Sequence, residues 1–183
     1  MRSQTAFSLL LLLIMFSMSF AKATAAQRDH LTLQEVDRVK EAQILDKRIE
    51  VFVKAAERRL IVLNGTQTAN AKQLKKDSEL WGDLPTGSPA DLIGDIARIL
   101  DEAITNIDDV SSRDERNPLI PKALRRLAQA VNNIMTQMAP FSEKAKSDSE
   151  VASLELLHED AQQILEAAKK LPAEVEKKGK SKN

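Results

Sequence analysis

Residues 33–64, LQEVDRVKEAQILDKRIEVFVKAAERRLIVLN, decide how this chain is read. Thr32 and Glu35 just ahead of and inside this stretch have the spacing of a capping box, in which a hydroxyl and a carboxylate three residues apart each take up a backbone N–H that the first helical turn leaves unpaired. Apolar side chains then recur at Leu33, Val36, Val39, Ala42, Leu45, Ile49, Phe52, Ala56, Leu60 and Leu63. Steps of three and four keep them on one helical face and do not fit a strand. Neither Pro nor Gly interrupts the pattern before Asn64-Gly65, where the left-handed conformation can end a helix. The spacing predicts a single helix over 33–64, about 45 Å long at ~1.5 Å per residue. Its second half, Val51-Phe52-Val53 and Leu60-Ile61-Val62-Leu63, is apolar around most of its circumference, so several neighbours are expected to cover it.

Three further helices follow from caps and periodicity. Ser88-Pro89-Ala90-Asp91 combines an N-cap, a proline at the first helical position and an acid three residues on, which starts a helix over 89–110. The turn Ser111 to Pro118 separates it from a helix over 119–139, whose seam of Ile120, Leu124, Leu127, Val131, Ile134 and Met138 is heptad-like and which Pro140 is expected to close. A second Ser-x-x-Glu box at Ser147 and Glu150 opens the last helix, 148–171. The fold class implied is all-α: a four-helix bundle or elongated helical hairpins, with one long connection after the first helix. That connection, 65–88, exceeds the ~2–8 residues usual between bundle helices, so it is either a crossover or a binding loop. Within it, residues 72–81 allow a turn or two of helix, and Trp81 is expected to cover the apolar end around Leu60 and Leu63.

The ends carry an address. Arg2, the apolar run Phe7 to Phe20 and the small residues Ala21 to Ala26 have the layout of a secretory signal peptide, assigned to 1–25. The helical domain then covers 26–172, and the charged segment 173–183 reads as a disordered tail. The expected location is periplasmic or extracellular, as a soluble exported protein without a stable membrane span after cleavage. No cysteine is present, so packing alone must hold the domain together. The whole chain has 27 Lys+Arg against 27 Asp+Glu; residues 1–25 remove Arg2 and Lys22 and no acid, leaving 25 − 27 = −2. That balance gives no electrostatic reason for nucleic acid to bind.

Chemistry-bearing residues are few. Glu155 and His158 have the Glu-x-x-His spacing of dinuclear bundle sites, but the second such motif that these sites need is missing, so no metal site is assigned. His158 with Met135 or Met138 is a candidate axial pair for a haem, in an outline that resembles small exported cytochromes of the b type; no Cys-x-x-Cys-His attachment motif accompanies it, and no cofactor is assigned. The second helix carries Asp91, Asp95, Asp101, Glu102, Asp108 and Asp109; if it forms an antiparallel hairpin with the third, its acidic end faces Lys122, Arg125 and Arg126, and Asp108 and Asp109 are expected to pair with Arg113, Arg116 or Arg125. Asp108 and Asp109 break a local rule by lying in the last turn of a helix, where the dipole disfavours negative charge. They join Trp81 and Leu84 as candidate partner-binding residues.

Leu31-Thr32-Leu33-Gln34-Glu35 resembles the Leu-Thr-x-x-Gln signature of exported helical stress chaperones of the Spy and CpxP kind, with Glu35 where that family has Gln. The resemblance implies a dimeric cradle that shields unfolded clients. No phosphate loop, nucleophile elbow or catalytic triad context is present, and with two histidines and no cysteine or tyrosine the chain has little catalytic equipment. The expectation is a non-enzymatic protein that binds another envelope protein or assembles with itself, with a homo-oligomer as one form.

Overall fold

The computed structural model describes residues 28–172; the signal peptide assigned to 1–25 and the tail assigned to 173–183 lie outside them. The described chain is all-α, with six helices: α1 (Leu33–Glu41), α2 (Leu45–Leu63), α3 (Ala71–Trp81), α4 (Pro89–Arg113), α5 (Leu119–Lys144) and α6 (Asp148–Lys169). Four of them, α2, α4, α5 and α6, form a bundle-like core, and α1 and α3 lie outside it.

Side-chain pairs give the directions. Lys122 and Arg126 of α5 bond to Asp46 and Glu50 of α2, and Asn64 at the end of α2 reaches Gln137, so α2 and α5 run parallel. Arg48 bonds to Asn106 at 3.0 Å while Arg59 approaches Asp95, so α2 and α4 are antiparallel. Gly94 lies beside Ser153 and Asp101 acts on Asp160, so α4 and α6 run parallel. The helices α2, α4, α6 and α5 therefore follow one another around the core, and α2 and α6 do not pack on each other. The basic start of α5 turns to acids of α2 rather than to the acidic end of α4, contrary to the hairpin expected from the sequence.

Two further differences have physical causes. The expected helix over 33–64 is broken at 42–44. Gln43 N–H donates to Glu41 O, Ala42 takes ψ 77°, and Arg48 Nε donates to Ala42 O at 2.9 Å, supplying a cationic cap for a carbonyl at the end of α1. Leu33, placed on the core face by periodicity, is 79% exposed. At the other end Pro140 does not close α5. It sits within the helix on its exposed side, where the missing N–H leaves one carbonyl to solvent, and the helix continues to Lys144.

The ends that the sequence marks are formed as their chemistry dictates. Capping boxes close at Thr32/Glu35, Ser88/Asp91 and Ser147/Glu150. Gly65, at φ 62°, donates to Val62 O while Thr66 donates to Ile61 O, the paired bonds of a Schellman ending. Phe52, Ile49, Ile96, Leu100, Leu127, Val131, Met138, Leu157 and Ile164 meet in one core. Phe52 is fully enclosed, so Phe52→Ala is expected to cost ~3–5 kcal/mol in denaturant unfolding.

Asp160 of α6 is buried at the α4–α6 groove, and its Oδ2 has no hydrogen-bond partner. Burial, with Asp101 and Glu159 adding like charge, pushes its carboxyl up to about 6. Because the folded value lies above the unfolded one, ionisation favours unfolding: the penalty is absent below about pH 4, grows as pH rises towards 6 and is complete at 7. Asp160→Asn is therefore expected to stabilise the protein at pH 7 by about 1–2 kcal/mol after discounting for solvent screening, and to give no gain at pH 3.5. Unfolding curves at the two pH values check this.

Candidate functional site

Where α1, α2, α4 and the start of the described chain meet, four charged side chains are buried together: Glu35, Arg58, Arg59 and Asp95, each no more than 1% exposed. The break at 42–44 makes the meeting possible. In an unbroken helix Glu35 and Arg58 would stand roughly 35 Å apart at ~1.5 Å per residue; folded back, Arg58 Nε lies 3.1 Å from Glu35 Oε1. Arg59 Nη1 donates to the same oxygen at 2.6 Å, and Glu35 Oε2 accepts from Thr32 N–H at 2.9 Å. One carboxylate thus caps α1 and binds two arginines.

Arg59 also donates to Ala55 O and His30 O, and its Nε stands 3.9 Å from Asp95 Oδ2, a distance for charge attraction but not for a hydrogen bond. Asp95 is completed by Arg28 and Arg98, each at 2.8 Å. Arg58 Nη2 reaches the carbonyls of Trp81, Gly82 and Asp83 at 3.0, 3.2 and 2.5 Å. Burial draws the Arg58 guanidinium down from its usual value, and the charge of Glu35 opposes that. Gly82 is required here: at φ 65° its backbone suits glycine, and a Cβ would stand 2.9 Å from the Gln34 side chain.

The cluster is a tether. It fastens α1, the chain before it and the end of α3 to the bundle, and every one of its buried charges faces an opposite one. Glu35 is the only buried side chain of α1, and α3 has none. Ions therefore help decide where these two helices sit, together with Val36 and Val39 of α1, which pack half-buried against the core.

Trp81, half-buried, has the Arg58 guanidinium carbon 5.8 Å from its ring centroid, within cation–π range. It does not cover Leu60 and Leu63, as the sequence reading expects; its ring walls a recess of about 320 Å³ with Ala42, Val51, Arg38 and Lys47, at the break between α1 and α2. The apolar end of α2 faces α3 instead, across a second recess of about 300 Å³ lined by Leu60, Ile61 and Leu74. On that recess, burial raises the Glu57 carboxyl, whereas Asp77, which burial would raise, is held low by Lys54 at 3.0 Å and by Gln73. Among the large apolar side chains exposed on the described residues, Leu33, Ile44 and Leu80 are the most open, at 79%, 56% and 55%, and all three belong to the α1–α3 side.

The other candidates disperse. Leu84 is half-buried in the loop before α4. Asp108 and Asp109 are exposed on α4, and Asp109 has Arg113 at 3.7 Å. His158 is exposed, with Nδ1 3.2 Å from Leu154 O in its own helix, whereas Met138 is fully enclosed and Met135 half-buried. Among the described residues no three His, Asp or Glu side chains are grouped to hold a metal ion. The buried cluster has a sequence signal in retrospect: neither Arg58 nor Arg59 has an acid three or four residues away, and Asp95 stands in the apolar seam between Leu92 and Ile99.

Removing one side of a buried charge pair strands the other. Glu35→Ala is expected to cost ~3–5 kcal/mol and to strip hydrogen-exchange protection from α1 before the bundle core. A loss below about 1 kcal/mol, with α1 still protected, would show that the arginines are satisfied without it. Comparison of the chain with protein-family models, with curated proteins and with solved structures gave no significant match.

Proposed function

We propose that this is a non-enzymatic, exported helical protein that works by contact with another protein or a second copy of itself, through the face carried by α1, α3 and the Trp81 loop. The observation behind this reading is the setting of Trp81: a large side chain held in place by Arg58, with its ring walling an open recess. A fixed aromatic beside a pocket loses little freedom on binding, which is why tryptophan and arginine dominate binding energy at interfaces. Ile44 and Leu80 flank the recess in sequence and are exposed, adding apolar area, while Arg38, Glu41, Lys47 and Glu50 give a rim of both charges suited to orienting a partner. The signal-like segment before Ala26 supports export. Among the described residues no helix is long and apolar enough to cross a membrane.

Site-specific photo-crosslinking tests the assignment. A photoreactive residue at Leu80 is expected to give a discrete adduct in intact cells, lost on Trp81→Ala, whereas the same probe at Leu156, an exposed apolar position on α6, gives none. An adduct of twice the chain's mass identifies self-association. Equal labelling at both positions, or none at Leu80, contradicts the reading.

A further inference from the structure

Three helix ends border a cavity that shares no residue with the Trp81 recess. The first turns of α4 supply Pro89 and Ile93, the end of α5 supplies Phe141, and Leu154 of α6 closes the wall around about 350 Å³. Small-molecule pockets begin at about this size, near 300 Å³. Ile93 and Leu154 are core residues, so the floor of this half-open cavity is apolar.

Its mouth is cationic. Lys144 and Lys146 line it, and neither has an ion-pair partner within 4.0 Å among the described residues. Glu150 lines the cavity too and stays negative, its charge drawn towards Lys146 and its oxygens towards backbone. Glu150 accepts from the N–H groups of Lys146 and Ser147 at 2.9 and 3.1 Å, bonds that hold its carboxyl below the usual range, and Asp91 is engaged in the same way by Ser88, with Arg28 at 3.8 Å. An apolar chamber whose entrance sets two ammonium groups against one carboxylate, leaving a net positive charge, matches a molecule that is apolar along its length and carries one negative charge at its end. The end of α5 can also give way: Pro140 removes a hydrogen bond from the turn that carries Phe141, and Ala145 closes the helix without a capping bond.

We infer that this cavity binds a small anionic amphiphile, a medium-chain carboxylate, with its chain between Ile93, Phe141 and Leu154 and its head at Lys144 and Lys146. The site is independent of the protein-contact face and does not rest on it.

Titration of the protein with decanoate below its micellar concentration, followed by calorimetry, tests the inference. The expected result is saturable one-to-one binding, weakened about five- to ten-fold in the double variant Lys144→Gln/Lys146→Gln, the range two exposed charge contacts supply. Decanol is expected to bind the native protein and the double variant equally. Ala145→Trp, which fills the chamber, is expected to abolish binding of both, with thermal unfolding confirming that each variant is folded. The absence of saturable decanoate binding, or binding unchanged in the double variant, overturns the proposal; so does binding that survives in folded Ala145→Trp.

Discussion

Two neighbouring arginines inside a protein set the terms for everything around them. Arg58 and Arg59 cannot shed their charge, and an unpaired guanidinium in an apolar interior is prohibitively costly. Their position on α2 therefore obliges other parts of the chain to bring in opposite charge and carbonyl oxygen: Glu35 from α1, Asp95 from α4, His30 O from the lead-in and three consecutive carbonyls from residues 81–83. The apolar core explains why four helices assemble. The arginines fix where α1 and α3 lie, since between them these helices fully bury one side chain, a carboxylate, while Val36 and Val39 add half-buried packing on the core. A buried ion network of this kind adds little net stability over apolar residues of the same volume, but it tolerates few geometries.

How much of this was legible in the sequence depended on whether the cause was local. Capping at Thr32, Ser88 and Ser147 and the Gly65 ending follow from a few neighbouring residues, and all were readable. The seam that buries Phe52, Leu127 and Met138 was readable because a 3.6-residue period leaves a long trace. The break at 42–44 was not. It contains neither Gly nor Pro, and its carbonyl is capped by Arg48, a contact that exists only once the chain has folded back. Local periodicity still carries Leu33 and Val36 on the same stripe as Leu45, so the pattern runs straight through a turn that only distant charges enforce.

The site was harder for a related reason. A tryptophan in a long connection could be flagged, but its neighbours come from α1, α2 and the turn between them, and the recess it borders exists only because α1 folds back over α2. Arg58 and Arg59 drew no reading at all, because charge on a helix is normally exposed, and Asp95 was grouped with the other acids of its helix. Their missing local counter-charges and the place of Asp95 within an apolar seam were the available signs. His158 shows the converse: a suggestive spacing in sequence that ends up on the solvent side, bonded to its own helix.

The parallel pairing of α2 with α5 has a consequence for the order in which the chain can assemble. Lys122 finds Asp46, and Arg126 finds Glu50, across 76 residues. As the polypeptide emerges from its N-terminal side, α2 is among the first segments presented and the most dependent on segments not yet there. Its flank against α5 must wait until nearly the whole domain is available. By contrast α5 and α6 are joined by a short turn and can pair at once. Closure over such long loops slows the search for the final state, and meanwhile the apolar run from Val51 to Leu63 is the stretch most exposed to unwanted association. A chain built this way has reason to be escorted while it is being made.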